Sequence, residues 1–255
     1  MQIITAPSKT QTFNGREFSD FSLPSGLDKT ARIIGRLKEL SFTELGRLMK
    51  TSDKLTRATQ QKIDNFSLPF SLKNARQALF TFQGDAYSAI RGDSYSPVEL
   101  HHAQRHLFIL SGLYGALRPL DLMQPYRLEM GCSLSVDGAA NLYQLWRGQV
   151  TTTLNNAFTG DQDNILINLA SAEYTKVIDK KNLNPRLITI IFQQPHKSGY
   201  KTIPIHSKRA RGAMIHYMIN NAIDRAEGLL EFDREGYSFK GKESSEDRWV
   251  FLQQQ

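Results

Sequence analysis

A chain of 255 residues with 40% hydrophobic and 22% charged residues, 17 Gly and 9 Pro can fill one large core, and it lies outside the disordered, collagen-like and coiled-coil classes. The lone Cys132 excludes an internal disulfide and a thiolate zinc site, and no apolar run reaches the roughly 18 residues of a membrane span, so a cytoplasmic protein with no membrane partner is expected. Lys plus Arg number 32 against 25 Asp plus Glu, a formal charge of +7 that favours anionic partners without naming one.

Gln2–Thr5 reads as a short strand stopped by Ala6-Pro7 and opening into the polar loop Ser8-Lys9-Thr10. Ile33, Ile34, Leu37 and Leu40 stand at helical spacing and predict an amphipathic helix over 28–40. Ser41-Phe42-Thr43-Glu44 has the form of a capping box ahead of a second short helix ending near Lys50. After the turn Thr51-Ser52-Asp53-Lys54, a third helix is expected to bury Leu55, Ala58, Ile63 and Phe66, with Ser52 or Asp53 as its cap. These elements make a helical subregion at about 28–75 within a single domain spanning 1–255.

Residues 78–82 are strand-like, Pro97 begins a helix through His106, and 107–110 read as a buried strand. The segment from Ser111 to Gly131 is dense in Gly, Pro and Arg and suits a long fixed loop. Next come a helix over 141–158, a strand over 165–169, an antiparallel pair over 187–192 and 201–205 about Ser198-Gly199, and a helix over 207–222. Short strands near Gly236 and Trp249 close the sequence. The mixture predicts an α/β or α+β fold: a central mixed sheet with surrounding helices and an inserted helical unit.

Charge is unevenly spread. Residues 180–223 hold eight basic side chains and no acid, and residues 29–62 hold nine against three, whereas 224–248 hold eight acids and five bases. If the fold joins the two basic segments, they form one electropositive groove of the kind that neutralises phosphates. Two solvated helix faces are the alternative.

The run over 110–131 reads Leu-Ser-Gly-Leu-Tyr-Gly-Ala-Leu-Arg-Pro-Leu-Asp-Leu-Met-Gln-Pro-Tyr-Arg-Leu-Glu-Met-Gly. Together with Ala6-Pro7-Ser8-Lys9-Thr10, Ser52-Asp53-Lys54-Leu55, Ala75-Arg76-Gln77-Ala78, Gly84-Asp85-Ala86-Tyr87, Asn168-Leu169-Ala170-Ser171 and Lys208-Arg209-Ala210-Arg211-Gly212, it resembles the bacterial YaaA (UPF0246) family of peroxide-stress proteins over essentially the whole chain. The resemblance implies a cytosolic protein of the hydrogen-peroxide response that limits damage from unincorporated iron. It also implies a basic cleft and a helix-hairpin-helix-like element associated with DNA binding.

Helix-hairpin-helix elements hold a DNA backbone by amides at a tight, usually Gly-containing turn, reinforced by nearby cations. Arg47, Lys50, Lys54 and Arg57 cluster about the turn at 51–54, but that turn has no Gly, and Asp53 would repel a phosphate unless its carboxylate caps the helix. A hairpin packed by Phe42, Leu45, Leu55 and Ile63 explains the apolar pattern equally. Lys208, Arg209 and Arg211 open an expected helix, where the positive end of the macrodipole makes three cations costly without an anion. Arg118 and Arg127 sit in a Pro-stiffened loop that suits phosphate or carboxylate binding, or pinning of the loop through carbonyls, Asp121 or Glu129.

Ser8, Lys9 and Glu173 are the catalytic candidates, with Lys9 also among the anion-binding residues, because both groups follow strands and can converge at one sheet end. Neither a Gly-x-Ser-x-Gly elbow nor a Walker loop is present. His102 and His106 stand at i, i+4, yet Leu107 and Phe108 continue the apolar stretch and make His106 a core residue ahead of a ligand. No metal and no cofactor are expected. Two functions compete: a stress protein binding duplex DNA with little sequence preference, and an enzyme acting on a small anionic ligand in a pocket built from the same basic and polar residues.

Overall fold

In the computed structural model, which describes residues 1–158, 164–197 and 199–254, the chain opens with β1 (Gln2–Thr5), all of it buried. Helices α1 (Leu27–Lys38), α2 (Phe42–Met49) and α3 (Asp53–Asp64) follow. The capping box forms as its spacing predicts: Ser41 N–H donates to Glu44 Oε2 at 2.8 Å, and Glu44 N–H donates to Ser41 Oγ at 3.3 Å. Then come β2 (Arg76–Gln77), α4 (Ala78–Thr81), α5 (Asp85–Ile90) and α6 (Pro97–His106), the last started by a second capping box at Ser96 and Glu99.

Strand β3 (Leu107–Ser111) leads into β4 (Gly115–Leu117) and β5 (Leu122–Met123). The second half holds α7 (Leu142–Asn155), β6 (Ile165–Asn168), α8 (Ala172–Thr175), β7 (Arg186–His196), β8 (Gly199–Lys201), α9 (Pro204–Asn220), β9 (Tyr237–Phe239) and β10 (Arg248–Gln253).

The mixed sheet runs β4-β3-β1-β6-β7-β10-β9, with β8 paired to β7. Its five inner strands, β3-β1-β6-β7-β10, are parallel, and β4, β8 and β9 join antiparallel. Ile3-Ile4, Leu107-Phe108-Ile109-Leu110 and Leu166-Ile167 are buried in unbroken runs rather than alternating, the pattern of a parallel sheet covered on both faces. β2 and β5 form a separate two-stranded ladder.

Several expectations fail for local reasons. Leu55 and Ala58 are exposed on α3, which buries Thr56, Thr59 and Ile63 instead, the two hydroxyls donating to the Ser52 and Leu55 carbonyls. The run 111–131 holds β4 and β5, paired to β3 and β2, rather than one loop. Residues 78–81 form a helix and not a strand, because all four side chains are buried and the amides of Ala78 and Leu79 donate to the carbonyls of Asp121 and Pro119; tertiary bonding overrides β-propensity. The strand expected over 201–205 stops at Lys201 and α9 begins at Pro204, since Pro fits the first helical position. Lys208, Arg209 and Arg211 consequently sit one turn or more inside α9 rather than at its start. The turn expected at Ser198-Gly199 includes Ser198, which lies outside the described residues.

Helices α5 and α9 touch through Gly212, where a Cβ would stand 2.0 Å from the carbonyl oxygen of Ala86. Gly212→Ala is expected to push the helices apart and to cost about 1–3 kcal/mol, read as a lower midpoint in urea unfolding; an unchanged midpoint would refute this contact as a tight one.

The rings of His102 and His106 lie 4.4 Å apart, and His106 Nδ1 is 2.9 Å from the carbonyl of Met1. Burial holds both imidazoles below the usual value of 6.5, with His106 and Arg105 adding to the effect at His102. The unfolded chain therefore takes up these protons more readily than the folded one. The pair's contribution to stability is complete above pH 6.5 and is lost as the pH falls through the lower folded-state values. Melting temperatures measured from pH 8 to pH 5 should fall on the acid side, and His106→Gln should flatten part of that fall.

Candidate functional site

Between β1 and β6 the strand order changes direction: the chain crosses from β1 to β3 on one side, then from β6 to β7 and β10 on the other. In open α/β sheets the crevice at the carboxyl ends of two such strands is the preferred place for a ligand. A cavity of about 520 Å³ opens there. One wall is the segment 5–11 after β1 and another is the segment 169–174 after β6, with α5, residues 126–129 and the Lys208–Arg211 turn of α9 completing it.

Short hydrogen bonds fix these walls. Gln11 holds two of them together: its Oε1 accepts from Tyr126 N–H at 2.8 Å and its Nε2 donates to the Ser8 carbonyl at 3.3 Å. The Gln83 amide donates to the Thr10 carbonyl, joining the loop to the start of α5. On the other side the buried Asn168 accepts from the Ala170 amide and the Thr175 hydroxyl, both at 3.0 Å, and so shapes the turn that presents Ser171 and Glu173. Tyr87 and Tyr126 form the buried aromatic floor, with Tyr87 donating to the Ala6 carbonyl and Ser111 donating to Tyr126 Oη.

An outer cavity of about 680 Å³ adjoins the first and reaches α2; Lys9, Arg127, Glu129 and Glu173 line both. Lys9 and Glu129 form an ion pair at this junction. Lys9 is therefore engaged by a carboxylate, while Ser8 Oγ accepts from the Thr10 amide at 3.2 Å. Glu173 Oε1 accepts from the Gly131 amide at 3.0 Å.

Arg211 is the unusual group. Its Nε is out of contact with water and has no hydrogen-bond partner, and no carboxylate among the described residues pairs with its guanidinium. Burial lowers its pKa. Arg211 is only partly exposed, and it faces the cavity with no carboxylate or acceptor among the described residues set against its Nε.

Ser8, Lys9, Arg127, Glu173, Lys208 and Arg211 thus meet around one space. Arg47 and Lys50 line the outer cavity with Cys132. The remaining sequence candidates stand apart from both linings. Arg118 donates to the carbonyls of Gln104 and Arg105 and lies 3.6 Å from the centre of the Phe108 ring, so it pins the loop after β4 to α6. Arg209 donates to Glu235 at 2.8 Å, Arg57 lies over Phe42, and Lys54 is exposed on α3.

Sequence reasoning named Glu129 only as a possible pin for the Arg118 and Arg127 loop and assigned no role to Asp85 or the tyrosine floor; Asp85 and Tyr87 lie in the quoted Gly84–Tyr87 motif, whose place beside Ser8 only the fold gives. Burial, followed by the carboxylates of Glu129 and Glu173, raises the Cys132 thiol pKa against the pull of the Glu129 amide and Lys50, which disfavours the reactive thiolate. Among the described residues no group of three or more His, Cys, Asp or Glu side chains is placed to hold a metal ion, and no helix is long and apolar enough to cross a membrane.

The sequence is similar along its whole length to UPF0246 proteins of several bacteria. A UPF0246 protein of Acaryochloris marina is 45% identical over 251 residues, 98% of this chain and 99% of its own. UPF0246 proteins of Shewanella loihica and Psychromonas ingrahamii are 42% and 43% identical, covering 100% and 98% of this chain and 99% and 98% of theirs. The family described as peroxide stress protein YaaA matches residues 1–243, and the chain belongs to that family.

Proposed function

We propose that this peroxide-stress protein binds a small phosphate- or carboxylate-bearing compound in the inner cavity and acts on it there. The unpaired Arg211 guanidinium carries the reading. Arg211 and Lys208 hold the anion, the Ser8 hydroxyl adds a polar contact, and Glu173 is the carboxyl group in reach of a bound ligand for proton transfer. Lys9, paired with Glu129, orients that carboxylate rather than activating Ser8. The restraint of iron-dependent damage implied by the family resemblance follows, in this reading, from what the cavity binds.

Inorganic phosphate and succinate should each raise the melting temperature of the wild type and give saturable calorimetric titrations. Arg211→Gln should weaken the tighter of the two by about 10- to 100-fold, the loss expected for a hydrogen bond to a charged group. Equal affinity in wild type and variant would overturn the proposal.

Contact with duplex DNA is the second reading, and the cations about the α2–α3 turn favour it. Arg47, Lys50 and Lys54 are exposed there, although Asp53 stands exposed in the first turn of α3 without a capping bond from Ser52. In anisotropy titrations of a labelled duplex across a salt series, log affinity should fall steeply with log salt. The Arg47/Lys50/Lys54 triple alanine variant should lessen that slope by about 2 to 3, close to 0.9 per phosphate contact. A slope that the variant leaves unchanged would remove this hairpin from DNA binding.

A further inference from the structure

The charged groups of the two adjoining cavities are not equally engaged. Glu44 is tied up in the α2 capping box, Glu129 in the ion pair with Lys9, and Glu173 accepts from the Gly131 amide. Arg127 and Lys50 have no carboxylate partner among the described residues, as Arg211 has none, while Arg47 forms no ion pair but acts electrostatically on Glu44. The remaining carboxylate, Asp85, is exposed and lies near Arg209. Unpaired cations therefore occupy both lobes, with the Lys9–Glu129 pair at the junction.

Arg127 reaches both cavities and is only partly exposed. On α3 it acts on Lys62, whose ammonium is held below its usual range by burial and then by the Arg127 charge. Arg127 and Lys50 meet in the outer cavity, where Glu129 is engaged by Lys9 and Glu173 by the Gly131 amide, and so form a second position that an anion would relieve. Tyr87 and Tyr126, both largely buried, line the same inner cavity as Arg127 and Arg211 and give it an aromatic surface.

We propose that the two cavities are one site for a ligand with two separated phosphates, one held by Arg211 and Lys208 and the other by Arg127 and Lys50, joined through a nucleoside-sized body over the tyrosines. A terminal nucleotide of a single strand and a free nucleoside bisphosphate share this chemistry. The inference rests on the inner cavity being an anion site.

Affinities of the full chain for inorganic phosphate, adenosine 5′-monophosphate, adenosine 3′,5′-bisphosphate and a 5′-phosphorylated single-stranded tetranucleotide would test it by calorimetry. At least one two-phosphate ligand should bind the wild type about tenfold or more tighter than the monophosphate, since the second contact is made intramolecularly. The tighter of the two identifies the source. Arg127→Gln and, separately, Lys50→Gln should each pull the ratio of two-phosphate to one-phosphate affinity toward unity, with wild-type melting curves as the folding control.

A ratio near one in the wild type, which needs no variant, would overturn the inference, as would a ratio kept in both variants. Failure of the anion site itself reads differently: inorganic phosphate would then bind Arg211→Gln and wild type alike.

Discussion

Strand β1 is held in parallel on both edges, with Ile3 and Ile4 in register with Leu107 and Phe108 on one side and Ile167 and Asn168 on the other. That double pairing is the constraint on which the site depends. It places the chain after β1 and the chain after β6 side by side, the Leu169 amide donating to the Ile4 carbonyl at 2.9 Å as the two segments leave the sheet. Because the fold crosses in opposite directions from these strands, no helix fills the space above them. A cavity there is a consequence of topology, and the polar residues around it decide its chemistry.

Rigidity around this cavity comes from buried and half-buried polar groups that have their partners. Asn168, Gln11 and Ser111 each tie backbone amides or hydroxyls of neighbouring segments, so the walls are set before any ligand arrives. Trp146, fully buried, donates its indole N–H to the Gly112 carbonyl at 2.9 Å and packs against Gly115, whose φ of +74° suits glycine. This secures the loop that carries Tyr126 and Arg127. Arg211 Nε, which lines the cavity, is among the buried side-chain atoms that have no hydrogen-bond partner.

Net charge alone would have misdescribed the surface. The basic segment 180–223 is not one patch: Arg186 pairs with Glu246 and Asp247, Arg209 pairs with Glu235, and Arg211 turns inward. Acidic residues from the negative segment 224–248 thus neutralise part of the basic one. Within the two cavities, Lys208 and Arg211 on one wall and Arg127, Arg47 and Lys50 on the other stand outside these ion pairs.

Local chemistry made much of this protein legible in its sequence. The Ser41–Glu44 capping box, the unbroken apolar runs of β1, β3 and β6, and the class of mixed sheet all follow from interactions spanning a few residues, which a linear reading captures. Motif resemblance likewise identified the family. Tertiary structure alone decided that residues 78–81 coil into a helix against the carbonyls of Pro119 and Asp121, and that Arg118 is a pin whereas Arg127, nine residues on, faces a cavity. It also paired Lys9 with Glu129, 120 positions away, and left Arg211 without a partner. Whether a charge is paired, buried or free depends on which distant segment the sheet order brings beside it, and spacing along the chain carries no record of that order.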